Sequence, residues 1–298
     1  MSFLVPDKGI RMSVLREMAI ALVRPLRGAL GATVVIKGFH TTEWERAIGP
    51  ESSLWSQIPS VKRVVCEGKP GSAIRQGRFG RVVTIPLMER DILACDTAYE
   101  KAVPSAAAVE ILRNKAAFAE YLIARELQQD APVVYGAIEE VQYPFVLKRV
   151  DLNGSKGVRL VRSRAEYEDV RTHEPWLGYP CLLQEFIPGC VEYTMNAFFR
   201  KGRVVWSKAF SFEFEEEGIK PVGYPGKHHE PTPGERETVE RILRPLRYIG
   251  PVNIDYKIRP DGSPAILEIN PRFGGSLMKP RNIDHLTHMI RLILRYAR

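Results

Sequence analysis

The chain contains no long hydrophobic run. Its longest apolar stretch, residues 18–23, falls far short of the roughly 20 residues that span a bilayer. No basic segment leads into a longer apolar one at the start, so no signal peptide is expected. Cysteine is scarce: four residues (Cys66, Cys95, Cys181, Cys190) among 298. None has CxxC or zinc-ligand spacing, which points to reduced thiols in a cytoplasmic protein. Repeats and low-complexity tracts are absent. So are a GxGxxG after the first strand and a GxxxxGK[ST] loop, which removes the two commonest glycine signatures of nucleotide binding. No Ser-His-Asp or Cys-His arrangement calls for covalent catalysis.

The composition is globular, 45% hydrophobic and 26% charged, with a net charge of +8. A chain of this length has room for two or three subdomains. The basic residues are spread out, apart from clusters such as 241–247, and no nucleic-acid motif stands out. The charge therefore suits an anionic small substrate such as a nucleotide better than DNA, RNA or a membrane surface.

Residues 12–30 read as a helix. "ATVVIKGF" (32–39), "VKRVVCEG" (61–68) and "GRVVTIPL" (80–87) read as strands, and "MERDILACDTAYE" (88–100) as a helix, together a small α/β unit. Residues 103–130 read as one strongly helical region opened by Pro104 and Ser105, and a domain boundary is placed near 104. Short β-rich runs follow around a glycine-containing loop, then a helix over 164–171 and the strand "CLLQEFIPG" (181–189). Residues 191–214 read as a hairpin turning at Lys201-Gly202, 215–233 as a long loop and 234–250 as a helix. "VNIDYKI" and "AILEINP" pair as a hairpin, and the last sixteen residues form an amphipathic helix.

That last hairpin carries the chemistry. Side chains alternate along a strand, so Glu268, Asn270 and Arg272 share one face. A turn centred on Asp261-Gly262, or a four-residue loop over 260–263, places Asp255 directly opposite Glu268. Opposed carboxylates cost a hairpin roughly 0.2–1 kcal/mol, and a cation between them reverses the sign. Hard oxygen ligands with an amide two residues on suit Mg²⁺. A solvent-facing strand with chance charges is the plainer alternative, against which stand the apolar run and the Gly274-Gly275 pair.

In "FVLKRVDLNGSKGVRLV" (145–161), Lys148 lies near the end of an apolar strand, and Gly154 and Gly157 bracket Ser155 and Lys156. Glycines let backbone N–H groups approach an anion, and Lys156 adds a point charge. An ordinary Asn-Gly hairpin fits the same residues. His228 and His229 are open to a substrate or general-base role or to none. His285 and His288 suit a helix surface better than a ligand pair, and the four tryptophans suit packing.

Taken in order, Lys115 in "LRNKAAF", Lys148, the loop 153–157, "LLQEFIPG…EYT" (182–194) and "NIDYKI…LEINPRFGGS" resemble the ATP-grasp superfamily of carboxylate–amine ligases, over about residues 104–280. The resemblance implies a small N-terminal α/β domain (1–104) before a two-subdomain ATP-grasp fold of α/β and α+β type, with a lid subdomain (105–185) and a large subdomain bearing the metal hairpin (186–298). It implies ATP, with Lys115, Lys148, Ser155, Lys156 and Gly157 at the phosphates, Gln184, Glu185, Phe186 and Ile187 at the adenine edge and Glu192 at the ribose. Asp255, Glu268 and Asn270 would hold Mg²⁺ or Mn²⁺. Arg272 would stabilise developing charge, Gly274, Gly275 and Ser276 would donate near the acyl group, and Lys208 would be a further phosphate contact. Asn114 stands where the family often has aspartate, and Cys190-Val191 lengthen the gap from Gln184 to Glu192 by one residue.

The implied reaction joins a small carboxylic acid, such as an amino acid, to an amine through an acyl phosphate. Thioester formation, carboxylation or a catalytically silent ATP-binding regulator are the alternatives. The expected partners are the carboxylate and amine substrates, with no nucleic acid and no membrane, and a homodimer is the default expectation for assembly.

Overall fold

The computed structural model describes residues 31–67, 81–95, 99–152, 157–219 and 226–298. The helix expected at 12–30 lies outside them. The first unit is a parallel sheet of β1 (Ala32–Lys37), β2 (Val61–Cys66) and β3 (Arg81–Pro86) in the order β2-β1-β3. Central β1 is buried along almost its whole length, as expected of a parallel strand covered on both faces. Helix α1 (Thr42–Ile48) follows β1, and α2 (Glu89–Leu93) follows β3. The helix read over 88–100 is thus much shorter. Glu100, at the end of that stretch, is drawn to the open edge of β3 instead: Glu100 N donates to Val82 O (3.1 Å) and Thr84 N to Glu100 O (2.9 Å).

Residues 103–130 form two helices, α3 (Ala106–Arg113) and α4 (Lys115–Ala124), rather than one. The break is Asn114. Its backbone is extended, and its side-chain oxygen accepts from Ala116 N (3.0 Å) and Ala117 N (3.1 Å). An asparagine offers the backbone this local alternative to continuing a helix. The cap sets Lys115 at the first position of α4.

A four-stranded antiparallel sheet comes next, in the order β4-β7-β5-β6, built from β4 (Val134–Tyr135), β5 (Phe145–Arg149), β6 (Val158–Val161) and β7 (Cys181–Glu185). Helix α5 (Arg164–Thr172) packs on it through Val170 and Tyr167 against Phe145 and Val161. The third sheet is five-stranded and antiparallel, in the order β10-β9-β8-β11-β12. Its strands are β8 (Val191–Arg200), β9 (Arg203–Glu213), β10 (Lys227–His229), β11 (Gly250–Ile258) and β12 (Pro264–Asn270). The β8–β9 hairpin turns at Lys201 (φ 53°) and Gly202 (φ 76°) as expected; two positive φ values match the twist of a tight hairpin.

The stretch 215–233 is not all loop. Lys227–His229 adds an edge strand to β9, with His228 opposite Phe210. Helix α6 (Pro233–Leu243) starts at a Thr232–Glu235 capping box and ends well short of 250. Arg247 there takes φ 48° and turns the chain towards β11, burying Tyr248. Gly250 (φ 114°) begins β11, and a Cβ there would come within 2.6 Å of Ala102 O.

The last helix, α7 (Ile283–Tyr296), buries Leu286, Met289, Ile290 and Ile293, the spacing of one helix face. That face joins Phe273, Leu277 and Met278 and the side chains of β1, β3 and α1 in one apolar cluster. The end of the chain thereby clamps the first unit to the loop that follows β12.

An ion pair ties the segment after α4 to α6. Arg241 Nε donates to Asp130 Oδ2 (3.1 Å), a second bond runs from Nη2 to Oδ1, and the Asp130 side chain is 4% exposed. Arg241→Leu leaves that carboxylate buried without its cation. The expected cost is about 1–3 kcal/mol, below the range for fully buried pairs because Arg241 is half exposed. Urea denaturation checks it.

Candidate active site

The sheet β9-β8-β11-β12 presents two cross-strand rows on one face. The first runs Lys208, Asn196, Asn253, Asn270, and the second Phe210, Thr194, Asp255, Glu268. Asp255 does stand opposite Glu268, by a route the sequence reading did not foresee. Arg259 N donates to Ser263 O (2.8 Å), so the loop is 260–262, with Gly262 at φ 85°. This three-residue turn would slip the pairing by one. A bulge restores it: Tyr256 pairs Ile266 while Asp255 pairs Glu268, leaving Leu267 unpaired. Bulges of this kind re-aim side chains beside functional sites.

The surroundings fit a divalent cation. Burial, and next the facing Asp255, push the Glu268 carboxyl above its ordinary range, while Lys115, Lys148 and Arg272 pull it back. Thr194 donates its hydroxyl to Asp255 Oδ1. Asn253 Nδ2 is buried with no hydrogen-bond partner. Among the described residues no three His, Cys, Asp or Glu side chains gather as a metal cluster; the hairpin offers two carboxylates and the amide of Asn270. That set suits Mg²⁺ or Mn²⁺ completed by water and phosphate oxygens rather than a closed protein cage.

Two lysines converge on the carboxylates from the neighbouring elements. Lys148, on β5, has its ammonium pKa lowered by burial, an effect opposed by Glu268, Glu192 and Asp255 and reinforced by Lys115. Lys115 Nζ donates to Leu152 O (2.7 Å). Both lysines, with Leu182, Gln184, Leu267 and Glu268, line one cavity between the two antiparallel sheets. Gln184 is buried at 8% exposure. Of the loop residues, Ser155 and Lys156 lie outside the described residues. Gly157 is packed tightly: a Cβ there would fall 2.8 Å from Arg149 Cβ and 2.9 Å from Leu152 Cβ. Close backbone approach is thus one reason for that glycine.

The crossover from β7 to β8 is held down. Glu185 accepts from Arg259 Nη1 (2.8 Å) and Val133 N (2.9 Å) on its carboxylate, and its own backbone N donates to Val133 O (2.8 Å). Ile187 is buried, and its carbonyl accepts from Lys257 Nζ (2.8 Å), which also bonds Gly189 O (2.7 Å). Lys257 stands 5.0 Å over the Phe186 ring. Glu192, 9% exposed, acts on both Lys148 and Lys257.

Beyond the hairpin, Arg272 Nε donates to Glu89 Oε1 (2.7 Å) and Nη1 to Phe273 O (2.9 Å), while Nη2 lies 3.4 Å from Asn270 Oδ1. Asn196 receives Gly274 N (3.1 Å) and donates to Ser276 Oγ (2.8 Å). Gly275 has open space around its Cα. Lys208 is on the same face but two strands from Asp255, paired to Glu230 at 3.0 Å. Beside it the His228 and His285 rings lie 5.4 Å apart, and Trp206 contacts His285 and His288.

Sequence reasoning missed Thr194, Asn196, Asn253, Lys257 and Glu89. The first four had a signal in the alternation of "EYTMN" and "NIDYK". Glu89, 183 residues from Arg272, had none.

An ATP-grasp domain model matches residues 113–276. No curated protein sequence matches the chain. Among solved structures, the D-alanine–D-alanine ligase of Bacillus anthracis is similar at 13% identity and a TM-score of 0.59, over 89% of this chain and 96% of that one. The L-amino acid ligase of Bacillus licheniformis is similar at 18% identity and a TM-score of 0.57, over 90% and 74%. The N5-carboxyaminoimidazole synthase of Aspergillus clavatus, solved in complex with ADP and 5-aminoimidazole ribonucleotide, is similar at 14% identity and a TM-score of 0.55, over 83% and 71%.

Proposed function

The chain belongs to the ATP-grasp domain family, and from that premise we propose that it is an ATP-dependent ligase joining a small carboxylic acid to an amine through an acyl phosphate. The observation that carries the reading is the opposed Asp255–Glu268 pair, with Lys148 acting on it from the other antiparallel sheet and Lys115 from the start of α4. Carboxylates and ammonium groups gathered in one buried cleft suit a metal–polyphosphate better than either ion alone. The similar D-alanine–D-alanine and L-amino acid ligases favour amide formation. The similar N5-carboxyaminoimidazole synthase keeps carboxylation as the second reading. We place a lid subdomain at 105–185 and the large subdomain at 186–298, behind an N-terminal unit at 1–104.

Lys115 and Lys148 neutralise phosphate oxygens of bound ATP. Gln184 and the backbone at 185–187 meet the base, and Glu192 the ribose. A divalent cation held by Asp255, Glu268 and Asn270 would draw charge from the phosphates. The substrate carboxylate attacks the γ-phosphorus, the bond to the β-phosphate oxygen breaks, and ADP leaves. The amine then adds to the acyl carbon and phosphate departs. Arg272 stabilises the charge on the γ-phosphoryl group as it moves and, with the backbone at 274–275 and Ser276, the oxyanion of the second step. Lys208 and the His228–His285–Trp206 group flank the acyl end.

The test is ADP release from Mg-ATP against pools of amino acids and small carboxylic acids, with and without amines. One acid–amine pair should stimulate release. Stimulation by bicarbonate with an amine, and by no other acid, would establish carboxylation instead.

Lys257→Met bears on the base-binding crossover. It leaves the Ile187 and Gly189 carbonyls without their cationic donor. The expected result is a Kd for Mg-ADP weaker by about tenfold, read by calorimetry.

A further inference from the structure

Glu89 and Arg272 are brought together by the fold alone. Glu89 opens α2 in the first unit, and Arg272 follows the metal hairpin. Their side chains are 19% and 15% exposed, and Oε1 and Nε are 2.7 Å apart. A polar cleft of about 510 Å³ lies at this seam, lined by His40, Glu89, Arg90, Arg113, Asn114 and Asn270. The pair therefore sits where the first unit meets the chemistry.

The geometry of the guanidinium shows what the pair does. Glu89 occupies Nε, and the Phe273 carbonyl occupies Nη1. Nη2 reaches only a long 3.4 Å contact with Asn270 Oδ1. Two edges of the fork are fixed, and the third is turned to the hairpin. A free arginine side chain has rotamer entropy to lose when it is held in one geometry. A fork already fixed loses less of it when charge develops beside it.

We propose that Glu89 is a positioning residue for Arg272: the N-terminal unit supplies the carboxylate that aims the Arg272 guanidinium at the transferring phosphoryl group and the acyl oxyanion. This rests on the phosphoryl-transfer reading above, and it gives the first unit a part in the reaction. Glu89 itself touches no reacting atom.

The test compares the affinity for Mg-ADP alone with that for Mg-ADP plus aluminium fluoride, which mimics the phosphoryl group in flight. Wild type should bind the second much more tightly. Arg272→Met should lose that tightening. Glu89→Gln should keep the Mg-ADP affinity and lose about ten- to hundredfold of the tightening, with Glu89→Asp recovering part of it. Adding Glu89→Gln to Arg272→Met should change nothing further. If Glu89→Gln tightens like wild type, or weakens Mg-ADP equally with and without Arg272, the pair only joins two units and the proposal fails. If wild type shows no tightening, the phosphoryl-transfer reading fails and takes the proposal with it.

Discussion

Glu268→Gln is expected to raise the melting temperature of the metal-free protein while lowering ADP release about a thousandfold. The two effects share one cause. Glu268 is opposite Asp255 in a buried setting that disfavours its charge. A carboxyl whose folded pKa lies above its unfolded value holds more protons in the folded state. Stability therefore falls as pH rises from the ordinary glutamate range through the raised value. Glutamine removes that loss, and opposed carboxylates cost enough for a gain of about 1–3 °C at neutral pH. The gain should vanish below the ordinary glutamate pKa, where both side chains are neutral. With Mg-ADP the order reverses. Ligand at a hundred times its Kd adds about 2.7 kcal/mol to wild type, and the variant should gain far less. Melting curves at several pH values, with and without Mg-ADP, check each arm.

Gly274→Ala is expected to cost about 1–3 kcal/mol and to slow turnover about ten- to hundredfold. A Cβ at 274 would lie 2.3 Å from Asn196 Oδ1 and 2.7 Å from Asn253 Nδ2. Asn196 is fully buried and holds both Gly274 N and Ser276 Oγ. It cannot withdraw without releasing the turn that carries Ser276 and follows Arg272. Gly275→Ala is the control, since nothing lies within 4 Å of a Cβ there. Its stability should stay within about 0.5 kcal/mol of wild type. Denaturation and ADP-release assays on the two variants separate crowding at 274 from any general need for glycine.

Much of this was legible from periodicity. The strands at 32–37, 61–66 and 81–86, the 201–202 turn and the amphipathic C-terminal helix fall where alternation and helical spacing place them. The Asp255–Glu268 pairing was legible too, although the turn has three residues where two or four were expected and the bulge at Leu267 makes up the difference. Misreadings arose where a tertiary or capping bond beat local propensity. Asn114 caps a new helix inside an Ala-rich stretch, and the edge of β3 draws out Glu100. Lys227–His229 looks like loop because three polar residues carry no β pattern of their own; pairing with β9 makes the strand. The Arg272–Glu89 contact had no sequence trace, since only the packing of two units creates it.

The most direct measurement supplies the acid pool with ¹⁸O-labelled carboxylates and unlabelled bicarbonate, together with Mg-ATP and amines, and reads the isotope in released phosphate. Attack by the carboxylate on the γ-phosphorus, followed by displacement by the amine, leaves one ¹⁸O atom in each phosphate. The account predicts that label in step with ADP, and its loss in Glu268→Gln. ADP released with wholly unlabelled phosphate would contradict it, because water or bicarbonate rather than a carboxylic acid would then have taken the phosphoryl group.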